Sequence, residues 1–240
     1  MARLFVSDVH LDVSAPRASE QFLEFLATEA AGAEALYILG DLFEAWVGDD
    51  DADPDKARIC AGLRALSERG VPCFVMHGNR DFLLGAGFCE RSGCRLLPDP
   101  VVARLDGEDV LLTHGDALCT DDHPYQELRS VVRQSTWQAR FLALPRERRE
   151  LLANEARAGS RRHTSRTVPT IMDVNAASVA AAFRATGVRR MIHGHTHRPA
   201  VHDEVVDGVA VQRIVLGAWY EQGSYLRQEG GSFRLHELPR

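Results

Sequence analysis

Short apolar runs bounded by polar residues recur along the chain and predict its strands. They cover residues 4–6, 36–39, 74–76, 110–112 and 191–192. Amphipathic stretches at 18–31, 55–69 and 175–186 have helical periodicity, so the alternation predicts βαβ units with a largely parallel sheet. After residue 197 the pattern changes to short alternating strands at 201–206 and 209–215, with Asp207-Gly208 as a hairpin turn between them.

A polar segment closely follows each of the five apolar runs. These segments are Asp8-Val9-His10, Gly40-Asp41, Gly78-Asn79-Arg80-Asp81, His114-Gly115-Asp116 and Gly194-His195-Thr196-His197. Strand ends in open α/β sheets are where ligand groups converge. We therefore expect the five segments to meet in one place.

The side chains in these segments are those that hard-to-borderline divalent metals prefer. Carboxylate, amide and imidazole groups suit Mn2+, Fe or Zn2+, whereas none of the five cysteines lies at a ligand-like spacing. Asp8 and His10 would share a face if the strand continued through them, and His195 and His197 repeat the spacing. Asp41 could give one oxygen to each of two ions. The pattern predicts metal-assisted hydrolysis of a phosphoester or phosphoanhydride.

Each segment alone is also typical of an ordinary turn or helix cap. Five such segments in this order favour a metal site over coincidence. His77 and His193 lie within the apolar runs, so we interpret them as strand or supporting residues rather than ligands.

Composition places further limits on function. A length of 240 residues suits one elaborated domain spanning 1–240, and a net charge of −6 argues against general nucleic-acid binding. The cysteines are odd in number and scattered, and no signal-like segment or membrane-spanning run is evident. These features predict a cytoplasmic protein.

A basic block interrupts the alternation of strands and helices. Ten arginines and three glutamates lie between Arg129 and Arg166, together with Trp137 and Phe141. Helical periodicity predicts one helix over 125–142, ended by Pro145, and a second over 147–157. We interpret 122–167 as a helical cap insertion over the metal site. Its apolar stripe could pack on the domain or receive an anionic lipid.

The five motifs resemble those of the calcineurin-like metallophosphoesterases. The sequence around them is similar to that of one branch, the UDP-2,3-diacylglucosamine pyrophosphatases of lipid A synthesis in Gram-negative bacteria. The similar stretches are 35–51, 71–85, 114–122, 171–175 and 192–202. This resemblance implies an α/β/β/α sandwich with a helical cap insertion.

The resemblance also implies a mechanism and a set of site residues. Two Mn2+ ions would be held by two groups that share Asp41, the first formed by Asp8, His10, Asp41 and His197, and the second by Asp41, Asn79, His114 and His195. Metal-activated water would attack the α-phosphorus of UDP-2,3-diacylglucosamine, giving UMP and 2,3-diacylglucosamine 1-phosphate. The implied catalytic residues are Asp41, Asn79, Arg80, His114 and His195. The implied substrate contacts are Asn79, Arg80, Asp122, Ser160, Thr164 and His195.

The chain departs from the branch near the end of the cap, where Thr167, preceded by Arg166, stands in place of a common lysine. Whether Arg166 replaces that contact is left open, and both residues remain candidate substrate contacts. The resemblance further implies a monomer on the cytoplasmic face of the inner membrane that acts on a lipid-linked sugar nucleotide. Two alternatives remain: a hydrolase of soluble nucleotides, and a non-catalytic scaffold on the same fold.

Arg80 gives chemical support for a pyrophosphate substrate. Many phosphatases of the superfamily have His at this position, which can protonate an alkoxide leaving group. A sugar 1-phosphate leaves as a stable anion, because the second pKa of a phosphate monoester is only about 6. Arginine can stabilise that charge bidentately. The structural alternative is a surface salt bridge between Arg80 and Asp81.

Overall fold

Eleven strands form two sheets in the computed structural model, which describes residues 1–164, 171 and 173–239, with only the helical backbone for 161–164. The strands are β1 Arg3–Val6, β2 Ala35–Leu39, β3 Cys73–Met76, β4 Arg95–Leu97, β5 Val101–Leu105, β6 Glu108–Leu112, β7 Arg190–His193, β8 Ala200–Val206, β9 Val209–Val215, β10 Ser224–Glu229 and β11 Ser232–Glu237.

The first sheet has six strands in the order β11-β10-β1-β2-β3-β4, and the second has five in the order β5-β6-β7-β9-β8. Strands β1 to β4 are parallel, as are β6, β7 and β9, while antiparallel strands lie at the edges. The predicted hairpin between β8 and β9 is confirmed. Asp207 and Gly208 form its turn with φ values of 51° and 81°, as a tight hairpin turn requires.

Seven α-helices connect the strands in the described ranges. They are α1 Pro16–Ala27, α2 Pro54–Glu68, α3 Ala86–Ser92, α4 His123–Val132, α5 Ser135–Leu142, α6 Arg146–Thr164 and α7 Ala176–Thr186. The three predicted helices outside the basic block correspond to α1, α2 and α7. Local signals set where two of them begin: the Asp53 and Asn175 side chains accept hydrogen bonds from the first free backbone N–H groups of α2 and α7.

Three apolar clusters arrange these elements in four layers. Side chains of both sheets, such as Phe5 and Ile214, pack against each other in the middle. The outer face of the first sheet packs on α1 to α3 through residues such as Phe22 and Phe88. The outer face of the second sheet packs on α7 through Phe183. The expected α/β/β/α sandwich is confirmed.

The basic block forms α4, α5 and α6, which we call the cap helices. The prediction of one helix over 125–142 is wrong, because Gln134 takes an extended backbone and divides it into α4 and α5. The Arg133 guanidinium lies just before this break, where it donates to the carbonyl oxygen of Gly78 at 2.9 Å. The second predicted helix is longer than expected, since α6 continues to Thr164. No helix of the described residues combines the length and apolar character needed to cross a membrane.

Several arginines of the cap helices hold them to the two sheets. Arg129 and Arg133 pair with the buried carboxylate of Asp116. Arg149, which is 2% exposed, binds Asp50 and the carbonyl of Val47. These three of the ten arginines that the sequence concentrates here are therefore paired with carboxylates outside the cap helices.

Candidate metal centre and substrate cavity

Five of the seven predicted ligand residues have a left-handed backbone. The φ values are 53° at Asp8, His10 and Asp41, 66° at His195 and 57° at His197. Such values are uncommon for residues other than glycine, and they cluster at functional sites. Strand β1 ends at Val6, so the expectation that Asp8 and His10 share the face of a continuing strand is wrong. They converge instead because the chain turns sharply after the strand.

One group of side chains, which we call the first metal group, contains Asp8, His10 and His197. The Nε2 atoms of His10 and His197 are 3.3 Å apart, and His197 Nε2 lies 3.2 Å from Asp8 Oδ1. Asp41 Oδ2 is 3.7 Å from His10 Nε2. The ligand atoms of Asp8, His10 and His197 all lie within 4.8 Å of one another, a spacing that could hold a metal ion.

A second group, which we call the second metal group, lies on the other side of Asp41. Asn79 Oδ1 is 3.0 Å from His114 Nε2 and 2.9 Å from His195 Nδ1. Asp41 Oδ1 is 3.9 Å from His114 Nε2. The two oxygens of Asp41 thus face different groups. The structure brings all seven predicted ligand residues together in this arrangement.

The electrostatics of the cluster suit a bound cation. Burial, opposed by the imidazoles of His114 and His10, raises the pKa of Asp41 to about 6. Burial lowers the pKa of His114, but the carboxylates of Asp41 and Asp8 outweigh it and raise that pKa to about 9. The buried carboxylates thus favour positive charge beside them. Together with the imidazole and amide groups, they form a set of ligands that fits divalent metal ions.

Hydrogen bonds orient one imidazole of each group. His10 Nδ1 is 3.0 Å from Glu44 Oε2, and His114 Nδ1 is 2.9 Å from the carbonyl oxygen of Leu39. Both contacts favour a proton on Nδ1, which leaves each Nε2 free to bind a metal. Glu44 was not predicted as a site residue, although it lies three residues after Asp41 in a motif that carries the resemblance.

Asp81 supports the loops that carry Asp41 and Asn79. Its fully buried carboxylate accepts backbone hydrogen bonds from Leu42 at 2.8 Å and Gly78 at 2.9 Å. Its neighbour Arg80 instead lies 3.8 Å from a carboxylate oxygen of Glu44. The alternative reading of a surface salt bridge between Arg80 and Asp81 is therefore wrong.

Close packing explains the glycine at position 78. A Cβ atom there would lie 2.0 Å from Asp41 Oδ1, far inside van der Waals contact. Only glycine allows the backbone after β3 to approach the carboxylate that both metal groups share.

Replacing Asp81 by alanine is expected to lower the free energy of unfolding by about 3 kcal/mol, because several buried N–H groups would lose their shared acceptor. Urea unfolding in the presence of a chelator measures this without a contribution from metal binding. Asp109→Ala removes a half-exposed carboxylate on β6 and serves as the matched control, with an expected change within about 0.5 kcal/mol. Equal stability of the Asp81 variant and the control would contradict the supporting role.

A cavity of about 700 Å3 opens from the metal groups toward the cap helices. Polar groups line it beside the candidate metal ligands, including Asn79, Arg80 and His195. Apolar side chains line the part under the cap helices, and they are Phe82, Leu83, Leu128, Val132, Trp137, Phe141 and Leu152. Trp137 and Phe141 are half-buried and their rings stack at 5.0 Å. The stripe therefore faces the cavity as well as packing on the sandwich.

The remaining predicted substrate contacts lie at the cap side of this cavity or beyond the described chain. Asp122 and Ser160 both line the cavity. Asp122 also caps α4, since it accepts a hydrogen bond from the backbone N–H of Tyr125. Thr164 ends α6, but its side chain lies outside the description, as do Arg166 and Thr167 altogether.

Asp116 and Tyr125 were not predicted as site residues, although Asp116 belongs to a quoted motif. The Tyr125 hydroxyl donates to Asp116, and the Tyr125 ring lies 5.9 Å from that of His195. Arg129 donates to the same carboxylate at 2.8 Å. This network joins α4 to the second metal group. The sequence carried no signal for it, because the partners come together only when the cap helices dock.

Comparison with known proteins shows the family of the chain. Residues 1–199 match the family model described as calcineurin-like phosphoesterase. A UDP-2,3-diacylglucosamine hydrolase of Stenotrophomonas maltophilia is 49% identical over 247 residues, covering 100% of both chains. One of Xanthomonas oryzae pv. oryzae is 48% identical and covers 99% of both chains.

A solved structure of an archaeal phosphodiesterase superimposes with a TM-score of 0.51 at 13% identity, over 99% of this chain and 100% of that one, and supports the fold alone. The family model indicates a divalent metal site, which the clustered side chains are suited to form. Full-length similarity at nearly half identity is far beyond what a shared fold requires. The chain therefore belongs to the calcineurin-like phosphoesterases and, within them, to the family of UDP-2,3-diacylglucosamine hydrolases.

Proposed function

We propose that this protein hydrolyses the pyrophosphate bond of UDP-2,3-diacylglucosamine, giving UMP and 2,3-diacylglucosamine 1-phosphate for lipid A synthesis. The observation that carries this proposal is a continuous cavity. It joins the candidate metal ligands to an apolar pocket under the cap helices. A substrate whose pyrophosphate lies between a nucleoside and a sugar that carries acyl chains matches both parts of the cavity. The relatives' names support the same substrate.

We propose that the metals are two Mn2+ ions. Asp8, His10, Asp41 and His197 would hold one, and Asp41, Asn79, His114 and His195 the other. When bound, the ions would supply a water of lowered pKa and neutralise the charge of phosphate oxygens. The protein's own part is to hold the two groups at fixed spacing through the shared carboxylate of Asp41.

Arg80 would stabilise the leaving phosphate. Its backbone N–H donates to Asp41 Oδ1 at 2.8 Å, which fixes the residue beside the metal cluster. Its side chain lines the cavity, and its buried Nε has no hydrogen-bond partner among the described residues. A guanidinium held beside the cavity, with an Nε donor that no described residue uses, is suited to negative charge that develops in the transition state.

Arg80→Ala is expected to lower kcat by roughly 10²- to 10³-fold, with a much smaller rise in KM, because the contact strengthens as charge develops. Steady-state kinetics with Mn2+ at saturation measure the two effects separately. Arg80→His should not restore activity. If the histidine variant matched the parent enzyme, proton donation would be the relevant role instead.

The proposed reaction is tested by hydrolysis of UDP-2,3-diacylglucosamine in oxygen-18-labelled water. Attack at the uridine-side phosphorus should place the label in UMP, which mass spectrometry detects directly. Label in the sugar phosphate would contradict the proposed direction of attack. A parent enzyme that left this substrate intact but cleaved a soluble nucleotide would overturn the proposed substrate.

The two alternative functions explain less of the molecule. A hydrolase of soluble nucleotides would use the metal groups but leaves the apolar side chains of Trp137, Phe141 and Leu152 in the cavity without a role. A non-catalytic scaffold would not need all seven metal-type side chains within one cluster. Neither alternative is favoured by a specific observation.

We further propose a single domain over 1–240 with residues 122–167 as its cap insertion, acting as a monomer at the cytoplasmic face of the inner membrane without nucleic-acid partners. Exposed apolar side chains support membrane contact: Leu128, Val131, Leu142 and Leu151 on the cap helices, and Leu144 between α5 and α6. Arg140 and Arg148 are exposed on the same helices and could contact anionic lipid headgroups. Sedimentation with anionic vesicles tests this contact.

A further inference from the structure

The loop between β9 and β10 places the ring of Tyr220 over the first metal group. Trp219 anchors this loop: it is 2% exposed, and its ring packs edge-on against Phe22 and Phe25 with centroids 5.6 Å away in both cases. Its backbone N–H donates to the carbonyl oxygen of Asp8 at 3.1 Å. The anchor fixes the loop to the core and to the first metal group, and so determines where Tyr220 lies.

One face of the Tyr220 ring is covered and the other is open. The ring stacks on His10, with centroids 4.9 Å apart and an angle of 11° between the planes. Its other aromatic neighbour is His197, which meets it edge-on at 5.2 Å. Even so, Tyr220 is 64% exposed, and its hydroxyl has no hydrogen-bond partner in the described part of the chain. A large, fixed aromatic surface is thus presented to the cavity that Tyr220 lines.

The other large aromatic residues around the cavity are already engaged. Trp137 and Phe141 stack on each other, and Trp46 is 2% exposed. The Phe82 ring is half-buried, with Trp137 at 6.2 Å and the Arg133 guanidinium over its face. Tyr125 is half-buried, with its hydroxyl bound to Asp116. Among the described aromatic residues that line the cavity, Tyr220 therefore offers the most accessible ring face.

The position of Tyr220 relative to the cap helices indicates which part of the substrate it meets. Tyr125 of α4 lies on His195 in the second metal group, whereas Tyr220 lies on His10 in the first. Asp41 lies between the two groups, with one carboxylate oxygen toward each. If the acyl chains occupy the apolar pocket under the cap helices and the pyrophosphate crosses the metals, the uridine must leave on the side away from α4. A flat base stacks favourably on an exposed aromatic ring.

We propose that Tyr220 is the base-binding residue of this enzyme, and that the open face of its ring stacks on the uracil of the substrate. This inference rests on the proposed function. It assigns Tyr220 to nucleotide binding rather than to bond cleavage, because the stacking contact is present in the substrate complex and changes little as the phosphate bond breaks. Tyr220 therefore acts on the affinity for the nucleotide half.

Equilibrium binding to the Mn2+-loaded protein tests the proposal with UMP and with ribose 5-phosphate, which lacks the base. Tyr220→Ala should weaken UMP binding roughly 5- to 100-fold, the range expected for one base stacked on an aromatic side chain, and leave ribose 5-phosphate unchanged. Tyr220→Phe should retain the parent affinity for UMP. Glu221→Ala, an exposed neighbour in the same loop that does not line the cavity, is the matched control.

Two outcomes would overturn the proposal. One is equal UMP affinity of Tyr220→Ala and the parent. The other is a parallel loss of UMP, ribose 5-phosphate and Mn2+ binding in Tyr220→Ala, which would show that the ring only supports His10. Failure of the proposed function gives a different result, in which the parent does not hydrolyse UDP-2,3-diacylglucosamine while the base-dependent difference in binding persists.

Discussion

Asp41→Ala should abolish nearly all hydrolysis, with kcat reduced by more than about 10³-fold. Loss of a single oxyanion donor typically costs roughly 10²- to 10³-fold, and Asp41 contributes to both proposed metal sites at once. Its two carboxylate oxygens face His10 and His114 at 3.7 and 3.9 Å. Initial rates at several Mn2+ concentrations, with metal content measured on the same samples, test this expectation.

Two variants separate loss of the bridge from loss of the fold. Asp41→Asn keeps the shape of the side chain and an acceptor for the Arg80 N–H, but removes the charge that both ions would share. Asp109→Ala again serves as a remote carboxylate control. A folded Asp41→Ala protein with turnover near that of the parent, or a parent that stays active after complete chelation, would exclude the two-metal mechanism.

Shortening the acyl chains of the substrate should lower kcat/KM by orders of magnitude. Each CH2 group withdrawn from an apolar pocket costs about 0.8 kcal/mol, so removing several from each chain has a large cumulative effect. Under the cap helices, Phe82, Trp137 and Phe141 provide the aromatic surface for this contact, with Phe82 and Trp137 ring centroids 6.2 Å apart. Kinetics with substrates that differ only in chain length measure the dependence.

Neighbouring leucines on α6 offer a matched pair for the same question. Leu152 lines the cavity, whereas Leu151 is 46% exposed and does not line it. Leu152→Ala and Trp137→Ala should reduce selectivity for long-chain substrate, while Leu151→Ala should leave it unchanged. Slow cleavage of a soluble model phosphodiester should survive in all three. If both activities fell together with the folded fraction in the Trp137 variant, that ring would serve packing alone.

The candidate metal ligands could be predicted from the sequence in identity but not in geometry. The identities of the seven residues could be predicted, because each follows an apolar run and strand ends of such sheets converge. The geometry assumed for Asp8 and His10 was wrong. They adopt left-handed backbone conformations after β1 has ended, a strain that depends on contacts such as the hydrogen bond from the Asp8 N–H to the Gly40 carbonyl. Local periodicity carries no information about such long-range bonds.

The cap helices show where sequence reasoning was weakest. Periodicity predicted their helical character but not the break at Gln134, where the backbone becomes extended. The adjacent hydrogen bond from Arg133 to the Gly78 carbonyl joins segments that are distant in sequence, so periodicity could not indicate it. The density of arginines was visible from the start. That Arg149 is buried against Val47 and Asp50 became evident only in the folded chain.

By itself, the sequence determined the sandwich architecture, the metal-type residues and the family, since these depend on patterns and motifs that lie within short segments. Tertiary structure decided which donors face each other, that Glu44 and Asp81 support them, and that Tyr220 stands with an open ring face above His10. These features depend on contacts between residues far apart along the chain. Burial, distance and charge at such contacts exist only once the sheets and helices have packed.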